Sequence, residues 1–410
     1  MRGWFLAHAK TVEQREQIWS DDPTAFRAQA AEWIAANFPP QLKGCNPLIF
    51  QNDADAAAAD ADFELWRERV AAAGLGMPHW PRRYGGAGLT AEQADIIRLE
   101  LAAAGAFNPM RSNGTMMLGP TLMEYGTEEQ KLQHLPFIAS HERRWCQGFS
   151  EPGAGSDLAS LKTRAEDLGD HFLVNGQKIW TSGGDQADWC FCLVRTDNSR
   201  KQGGISFLLI DMKSPGVEAR PIVLISGSTH FSEVFLSDVK VPKANLVGEV
   251  NQGWSIAKRL LTFERGGLTE GRGEAPSLAP LAREYVGADA EGRIADPDLR
   301  GRLIRNALRS EAYNLTLKRH AADAAAQQAG PIPISAIKNL GSGVAQERSE
   351  LLIELLGWRG LGWEGEGYAF AELEATRAWL HSKAFSIYGG SYEVQNNITS
   401  KRVLGLPDQG

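Results

Sequence analysis

The spacing of apolar residues along the chain changes twice, and this change limits the folds that the chain can adopt. Residues 23–140 repeat with the helical period, residues 141–250 alternate apolar with polar residues as strands do, and the helical period returns from Gly253. A helical zone, a β zone and a second helical zone define an α+β protein. We therefore predict an N-terminal helical domain at 1–140, a middle antiparallel β domain at 141–250 and a C-terminal helical bundle at 251–410.

Individual helices and strands can be placed from their end signals and periods. Asp22 precedes a proline at the first helical position, Thr90 precedes an apolar stripe, and Thr127 precedes a Gln by three residues, as in a capping box. Later in the chain, we predict long amphipathic helices at 302–326 and 334–356. The predicted strands of the middle zone are 172–180, 189–195, 205–210 and 234–241.

Composition argues against several classes of protein. The 410 residues carry a net charge of −7 with both signs mixed, and no face rich in Lys and Arg stands out, so we expect no nucleic-acid partner. No apolar run approaches the roughly 18 residues that a membrane span needs, and residues 1–10 lack the apolar core and cleavage site of a signal peptide. We therefore expect a soluble, cytoplasmic protein without a membrane span.

The cysteines at 45, 146, 190 and 192 do not have the spacing of a disulfide framework. Cys190 and Cys192 lie two residues apart, on one face of a predicted strand, and are interpreted as reduced packing residues. A metal site at this pair is the alternative interpretation, but no cluster of His or carboxylate residues accompanies it. We therefore expect no metal.

Two motifs in the middle zone carry the clearest chemical signal. The first, at 145–157, places glycines and short hydroxyl side chains after a strand, so that backbone N–H groups can approach the phosphate and carbonyl oxygens of a large ligand. The second, at 177–184, brings Trp180 and two hydroxyl side chains to a Gly-Gly turn, which suits an aromatic platform beside a flat heterocycle. Together, the two motifs predict a flavin site.

Glu264 is the best candidate for a catalytic residue. On a helix over residues 254–268, the polar side chains share one arc and the apolar side chains fill the rest, and Glu264 falls in the middle of the apolar arc. Burying an unpaired carboxylate is costly and raises its pKa toward the range of a general base. A salt bridge across a helix interface is the other interpretation of such a residue.

The motifs at 145–157 and 177–184 closely resemble the middle-domain signatures of the acyl-CoA dehydrogenase family, and the resemblance extends from about residue 23 to the C-terminus. It implies the same order of helices, β domain and helices, with FAD as the cofactor. It also implies α,β-dehydrogenation of an acyl-CoA thioester, with an electron-transfer flavoprotein as the electron acceptor. In this chemistry a base removes the α-proton and flavin N5 accepts the β-hydride.

The resemblance also indicates where the base lies. Most members carry a glutamate next to a segment that resembles 387–395 here, and this chain has Gly389 at that position. A minority carry the base in a Leu-x-x-Glu-Arg setting on the helix after the β domain, and Leu261-Thr-Phe-Glu-Arg265 matches this setting. The match assigns the base to Glu264.

The remaining site residues follow from the resemblance alone. Those implied to contact the flavin are Gln147, Phe149, Ser150, Gly155, Ser156, Trp180, Thr181, Ser182, Gly390, Ser391 and Glu393. Those implied to contact the substrate are Ser156, Phe263, Arg265 and Gly389. A backbone N–H of Gly389 or Gly390 is implied to stabilise the enolate-like charge on the thioester oxygen.

Some family features are missing from the sequence. Members usually have an Arg-x-x-Phe-Gly and a Gln-x-x-Gly-Gly segment that reach the FAD of a neighbouring subunit. The first is absent around 282–289, and the second reads Glu354-Leu-Leu-Gly-Trp358. We therefore expect either a homo-oligomer with altered contacts or a mixed oligomer with a paralogue. The alternative functions are a catalytically silent subunit of a mixed complex and a flavin monooxygenase on the same fold.

Overall fold

The computed structural model describes residues 19–43, 60–269, 276–325 and 333–407. The side chains of 264–269 also lie outside the described part. The chain divides into two compact units. The first contains the N-terminal helices and the β-sheet and extends to Glu264, and the second contains Val223–Thr229 and the chain from Arg265 onward.

The described part of the first unit begins with five helices, and capping side chains fix the starts of all of them except the fourth. These helices are α1 (Pro23–Asn37), α2 (Ala61–Ala73), α3 (Ala91–Ala104), α4 (Gly119–Tyr125) and α5 (Glu128–Ala139). The Asp22 carboxylate accepts a hydrogen bond from the Ala25 N–H, 2.8 Å away. Thr90 and Thr127 each form a capping box, at the starts of α3 and α5. The three helix starts predicted from the sequence are confirmed.

Helices α1 to α3 share one apolar core. The predicted stripe of α1 is buried at Phe26, Ala30 and Ile34, and Trp33 packs against the same core while half-buried. Helix α2 adds the fully buried Trp66 to this core. Helix α2 is not among the helices placed individually from the sequence. An aspartate cap at its start and a left-handed glycine at its end are nevertheless standard helix signals.

The middle of the chain forms one sheet. Its strands are β1 (Trp145–Gly148), β2 (Arg164–Asp167), β3 (His171–Ser182), β4 (Trp189–Arg195), β5 (Ile205–Asp211), β6 (Val217–Ile222), β7 (Phe231–Pro242) and β8 (Leu246–Val247). Their order is β6-β7-β3-β2-β4-β5-β8, and β1 lies beside β4. The four predicted strands are therefore present, with β4 at the predicted bounds and the others slightly longer.

The sheet is mixed, whereas the sequence predicts an antiparallel one. Strands β1 and β2 both run parallel to β4, and the other neighbouring strands pair antiparallel. The physical reason is the connection between β1 and β4, which is long enough to contain β2 and β3 and so returns the chain in the same direction. Alternation along single strands carries no information on this pairing.

Strand β4 is buried on both faces. Cys190, Cys192 and Val194 pack into a core with β3 and β7, while Phe191 and Leu193 pack into a second core that includes residues of α4 and α5. Both cysteines are free, so their prediction as reduced packing residues is confirmed, and position 45 lies outside the described residues. Across the described ranges, no three His, Cys, Asp or Glu side chains are grouped so as to hold a metal ion.

Helix α6 (Gly253–Thr269) carries the chain from the first unit into the second. The helices that follow are α7 (Ala279–Tyr285), α8 (Pro297–Ala325), α9 (Ile334–Leu356), α10 (Phe370–Ser382) and α11 (Tyr392–Ile398). Helix α9 has the predicted bounds. Helix α8 begins at Pro297 and not at Arg302, because Asp296 caps the Leu299 N–H over 3.0 Å. No helix in the described part of the chain is long and apolar enough to cross a membrane.

Candidate active site

The two motifs of the middle domain lie side by side. The Ile179 N–H donates to the Ser150 carbonyl over 2.9 Å, so the loop after β1 is hydrogen-bonded to the end of β3. Lys178 Nζ donates to the Phe149 carbonyl over 3.2 Å. These contacts join the two segments in one local structure within the first unit.

A buried ion pair also links the two motifs. Lys178 is fully buried, and its Nζ lies 2.8 Å from Glu151 Oε1. The Lys162 N–H donates to Glu151 Oε2 over 2.6 Å, and the Thr163 N–H donates to Oε1 over 2.9 Å. Burial acts to raise the pKa of Glu151, but the Lys178 charge and these hydrogen bonds together hold that pKa below its usual value. Glu151 is therefore ionised at neutral pH and fully paired.

The sequence-based site does not include this ion pair, although the sequence contains a signal for it. Lys178 continues the buried alternation of Phe172 and Val174 along β3, at a position where an apolar residue is expected. A lysine on the buried face of a strand requires a partner of opposite charge. Glu151, in the other motif, is that partner.

Trp180 projects from the sheet into solvent. Its φ is 59°, in the left-handed region that bulky residues rarely adopt, and the register of β3 with β7 shifts between Lys178 and Thr181. The indole is 54 % exposed and contacts Phe231 edge to face, with ring centroids 6.2 Å apart. A strained backbone below a large exposed aromatic ring is typical of a ligand site and not of a core residue.

The other predicted flavin contacts of this unit have different environments. Phe149 is buried and packs edge to face against two core phenylalanines. Thr181 is fully buried, and its hydroxyl has no hydrogen-bond partner among the described residues. Among the other predicted residues, Gln147, Ser150 and Ser182 are half-buried. Gly155 and Ser156 are exposed.

The glycines of the first motif have two different environments. A Cβ at Gly148 would lie 2.7 Å from Cys190 Sγ, so this glycine allows β1 to pack against β4. At Gly153 and Gly155, a Cβ would meet nothing within 4 Å. The loop glycines therefore border open space, where a ligand can approach the backbone.

Helix α6 has the predicted division into two faces as far as its side chains are described. The polar residues Ser255, Lys258, Arg259 and Thr262 are exposed. The apolar residues Ile256, Ala257 and Leu260 are buried in the core of the first unit, and Phe263 is half-buried. The backbone of Glu264 and Arg265 continues this helix, but their side chains lie outside the described part. Their predicted roles stay predictions.

In the second unit, the predicted segment is a turn of two glycines leading into α11. Gly389 and Gly390 have φ of 64° and 89°, both left-handed. The Ser391 hydroxyl caps α11 by accepting from the Val394 N–H, and Glu393 lies exposed in the first turn. The N–H of its own backbone and the Ser391 hydroxyl lower the pKa of Glu393.

The carbonyl and N–H groups of the two glycines have different partners. Gln395 Nε2 donates to the Gly389 carbonyl over 2.8 Å, and Lys338 Nζ donates to the Gly390 carbonyl over 2.7 Å. Neither glycine N–H donates a hydrogen bond to another residue in the described ranges. Two backbone donors next to each other are therefore available to a ligand.

The positions that depart from the family pattern have local partners. Glu354 forms an ion pair with Arg302, with Nη1 and Oε1 2.7 Å apart. Trp358 is 65 % exposed, and the Arg359 guanidinium lies 4.8 Å from the centre of its ring. The carboxylate that replaces the usual glutamine is thus already paired within the chain.

Three family models cover most of the chain. The N-terminal domain of acyl-CoA dehydrogenases matches residues 20–142, the middle domain matches 146–239 and the C-terminal domain matches 251–404. The chain belongs to the acyl-CoA dehydrogenase family, whose members are flavoprotein oxidoreductases.

Named relatives agree with this classification. Acyl-CoA dehydrogenase IpdE1 of Mycobacterium tuberculosis is 39 % identical over 401 residues, which are 94 % of this chain and 98 % of the relative. The ChsE4-ChsE5 complex of Mycobacterium tuberculosis is 30 % identical with a TM-score of 0.73, over 96 % of this chain and 99 % of the matched one. A structure described as the Tcur3481-Tcur3483 steroid ACAD is 28 % identical with a TM-score of 0.74, over 94 % of this chain and 98 % of the other.

Proposed function

We propose that this chain is an FAD-dependent acyl-CoA dehydrogenase that introduces an α,β double bond into an acyl-CoA thioester, with Glu264 as the base. The observation that carries the proposal is the register of α6. Glu264 follows Leu260 by four residues and Ala257 by seven, and both of these are buried, so its position on the helix continues the apolar face. A carboxylate on such a face suits a general base, which accepts a proton during the reaction.

The residues of the first unit fit a flavin. Trp180 offers an exposed aromatic face next to the loop at 149–156, and the glycines of that loop border open space. Bound FAD would supply the acceptor for the β-hydrogen of the substrate, which leaves as a hydride. The role of the chain is then to hold the ring, to keep it next to the Cα–Cβ bond and to exclude water from it.

The second unit supplies donors for the substrate. Removal of the α-proton places negative charge on the thioester oxygen, and the unpaired N–H groups of Gly389 and Gly390 suit that charge. Ser391 and Glu393 follow directly in the chain, as the predicted flavin contacts of this segment. We assign the proton to Glu264 and the oxygen to the glycine N–H groups.

The partners follow the same reasoning. One matched structure is described as the ChsE4-ChsE5 complex and another names two proteins, Tcur3481 and Tcur3483, which supports a mixed oligomer with a paralogue. Light scattering should show a dimer or larger assembly. The ratio of FAD to chain should distinguish a homo-oligomer from a mixed oligomer. A ratio near one indicates a homo-oligomer, and a low ratio restored by a co-expressed paralogue indicates a mixed oligomer. A stable monomer with full FAD content would contradict both.

We propose an electron-transfer flavoprotein as the electron acceptor.

The test is anaerobic bleaching of the bound flavin by a panel of acyl-CoA thioesters. The panel contains butyryl-CoA, octanoyl-CoA, isobutyryl-CoA and the CoA thioester of a steroid carboxylic acid, the last because one matched structure is described as a steroid ACAD. Bleaching by any member supports the dehydrogenase and contradicts the monooxygenase, which needs oxygen. A protein that co-purifies with an active paralogue and is never bleached would be the silent subunit.

A further inference from the structure

Two successive peptide carbonyls in the second unit are each held by a side chain from a different helix. Gln395 of α11 is 2 % exposed and donates to the Gly389 carbonyl. Lys338 of α9 donates to the Gly390 carbonyl. Neither side chain is among the predicted site residues, and both act on the two glycines whose N–H groups are free.

The segment needs such contacts because its backbone is unusually free. Glycine loses more conformational entropy on ordering than any other residue, and here two glycines are adjacent. Both are left-handed, and a Cβ at Gly390 would lie 2.3 Å from Gln395 Nε2, so the observed conformation excludes a side chain there. The two donors therefore help to select this conformation over others.

Peptide planarity converts these carbonyl contacts into a direction for the N–H groups. In a trans peptide, the C=O of one residue and the N–H of the next point in opposite directions, and no cis peptide bond is present in the described residues. Fixing the Gly389 carbonyl on Gln395 therefore turns the Gly390 N–H away from Gln395. The hydrogen bond from Lys338 to the Gly390 carbonyl fixes the next peptide plane, which joins Gly390 to Ser391.

The two donors are themselves held in place. The Tyr392 hydroxyl donates to the Asn339 carbonyl over 3.0 Å, and Asn339 Nδ2 donates to the Tyr392 carbonyl over 3.3 Å, so α9 and α11 are joined beside the glycines. Lys338 Nζ also lies 5.8 Å from the centre of the Tyr392 ring. Burial lowers the pKa of Lys338, although the charge of Glu393 opposes this shift.

We propose that Gln395 and Lys338 are positioning residues: Gln395 aims the free N–H of Gly390 at the thioester oxygen of the substrate, and Lys338 holds Gly390 in the conformation that this direction requires. The proposal rests on the function proposed above. It predicts that both side chains affect the chemical step through the glycine backbone, with no contact of their own to the substrate.

The test compares Lys338→Met and Gln395→Met, which remove the donors, with Lys338→Arg, which keeps one. Lys383→Met is the matched control, because Lys383 lies in the same unit and pairs with Glu350 on the surface, 2.6 Å away. We expect the limiting bleaching rate per bound FAD to fall about 10- to 100-fold in the Met variants, below the effect of deleting an oxyanion donor outright. KM should change less than about threefold, and Lys338→Arg and Lys383→Met should stay near wild type.

A spectroscopic measurement separates this role from a merely structural one. In a 3-thia acyl-CoA, sulfur replaces the β-carbon, so the α-proton can be lost but no hydride can follow. The resulting enolate gives a long-wavelength absorbance beside oxidised flavin. With the 3-thia analogue of the fastest panel member, we expect a weaker band in the Met variants at equal FAD content.

The outcomes distinguish the two proposals. If the wild type is bleached and the Met variants match it in rate and in enolate band, the positioning role is wrong and the dehydrogenase stands. If the variants lose FAD but keep the wild-type rate per bound FAD, the positioning role is also wrong. If no panel member bleaches the wild type, the proposed function itself fails. Should Lys338→Met not fold, Gln395→Met gives the same test.

Discussion

The loop at 149–156 and the segment at 387–395 are both predicted to contact the flavin, yet they are built in different ways. The loop is fixed by a backbone hydrogen bond to β3 and by a buried, fully paired ion pair. In the segment, two left-handed glycines are each held by a single hydrogen bond from a different helix. The geometry of the loop is part of the fold, whereas the geometry of the segment depends on a few contacts. Substitutions should therefore change stability in the first region and reaction rate in the second.

The largest effect should come from Lys178→Met, which leaves the buried Glu151 carboxylate without an opposite charge. We expect the free energy of unfolding to fall by about 3–5 kcal/mol, measured by urea denaturation. Lys201→Met is the matched control, since Lys201 pairs with Asp157 in the same loop at 2.8 Å but both side chains are more than half exposed. Its cost should be about 0–1 kcal/mol. Equal losses in the two variants would show that burial of the pair is unimportant.

The same ion pair predicts a pH dependence. Because the folded protein holds the pKa of Glu151 below its unfolded value, its contribution to stability is complete above the unfolded pKa. That contribution is lost as the pH falls through the folded pKa. Urea denaturation from pH 7 downward should therefore show a steeper loss in wild type than in Glu151→Gln. Parallel profiles would contradict the lowered pKa.

Gly390→Ala should have a smaller effect on stability and a clear effect on rate. A left-handed alanine costs about 1–2 kcal/mol, and its Cβ would also displace Gln395. We expect bleaching to slow by about tenfold or more while FAD stays bound, as measured by stopped-flow absorbance. Gly155→Ala is the control, because a Cβ there meets nothing within 4 Å, and its free energy of unfolding should change by less than about 0.5 kcal/mol.

Trp180→Ala should affect the cofactor and leave the fold intact. The indole is more than half exposed, so its loss removes little core packing but removes the proposed aromatic platform. We expect FAD affinity to fall about tenfold, which is about 1.4 kcal/mol, with a shifted flavin spectrum. Trp180→Phe should retain most of the affinity. Full FAD content with an unchanged spectrum in Trp180→Ala would remove Trp180 from the site.

Local signals in the sequence account for much of the fold. The bounds of α9 follow from an uninterrupted helical period, those of β4 from a short apolar run, and the starts of α1, α3 and α5 from capping residues. The parallel pairing of β1 with β4 does not follow from the sequence, because it depends on where a long connection returns. Helix α8 begins early for a local reason, the Asp296-Pro297 cap, which helical periodicity alone does not reveal.

The candidate site also contains some features that the sequence predicts and others that it does not. The adjacency of the two middle-domain motifs and the exposure of Trp180 agree with expectations from residue type and order. The Glu151–Lys178 and Lys338–Gly390 contacts join residues that are distant in the chain, and no spacing rule connects them. The Gln395–Gly389 contact spans only six residues, but it depends on the left-handed turn between them. The buried environment of Phe149 likewise depends on core residues of other strands.

The central claim is that Glu264 is the base of an acyl-CoA dehydrogenase, and Glu264→Gln tests it most directly. The amide is nearly the same size as the carboxylate but does not accept the α-proton. Anaerobic bleaching by the fastest panel member should slow by at least about 10²-fold, with FAD content equal to wild type. A rate within tenfold of wild type at full FAD content would contradict the assignment.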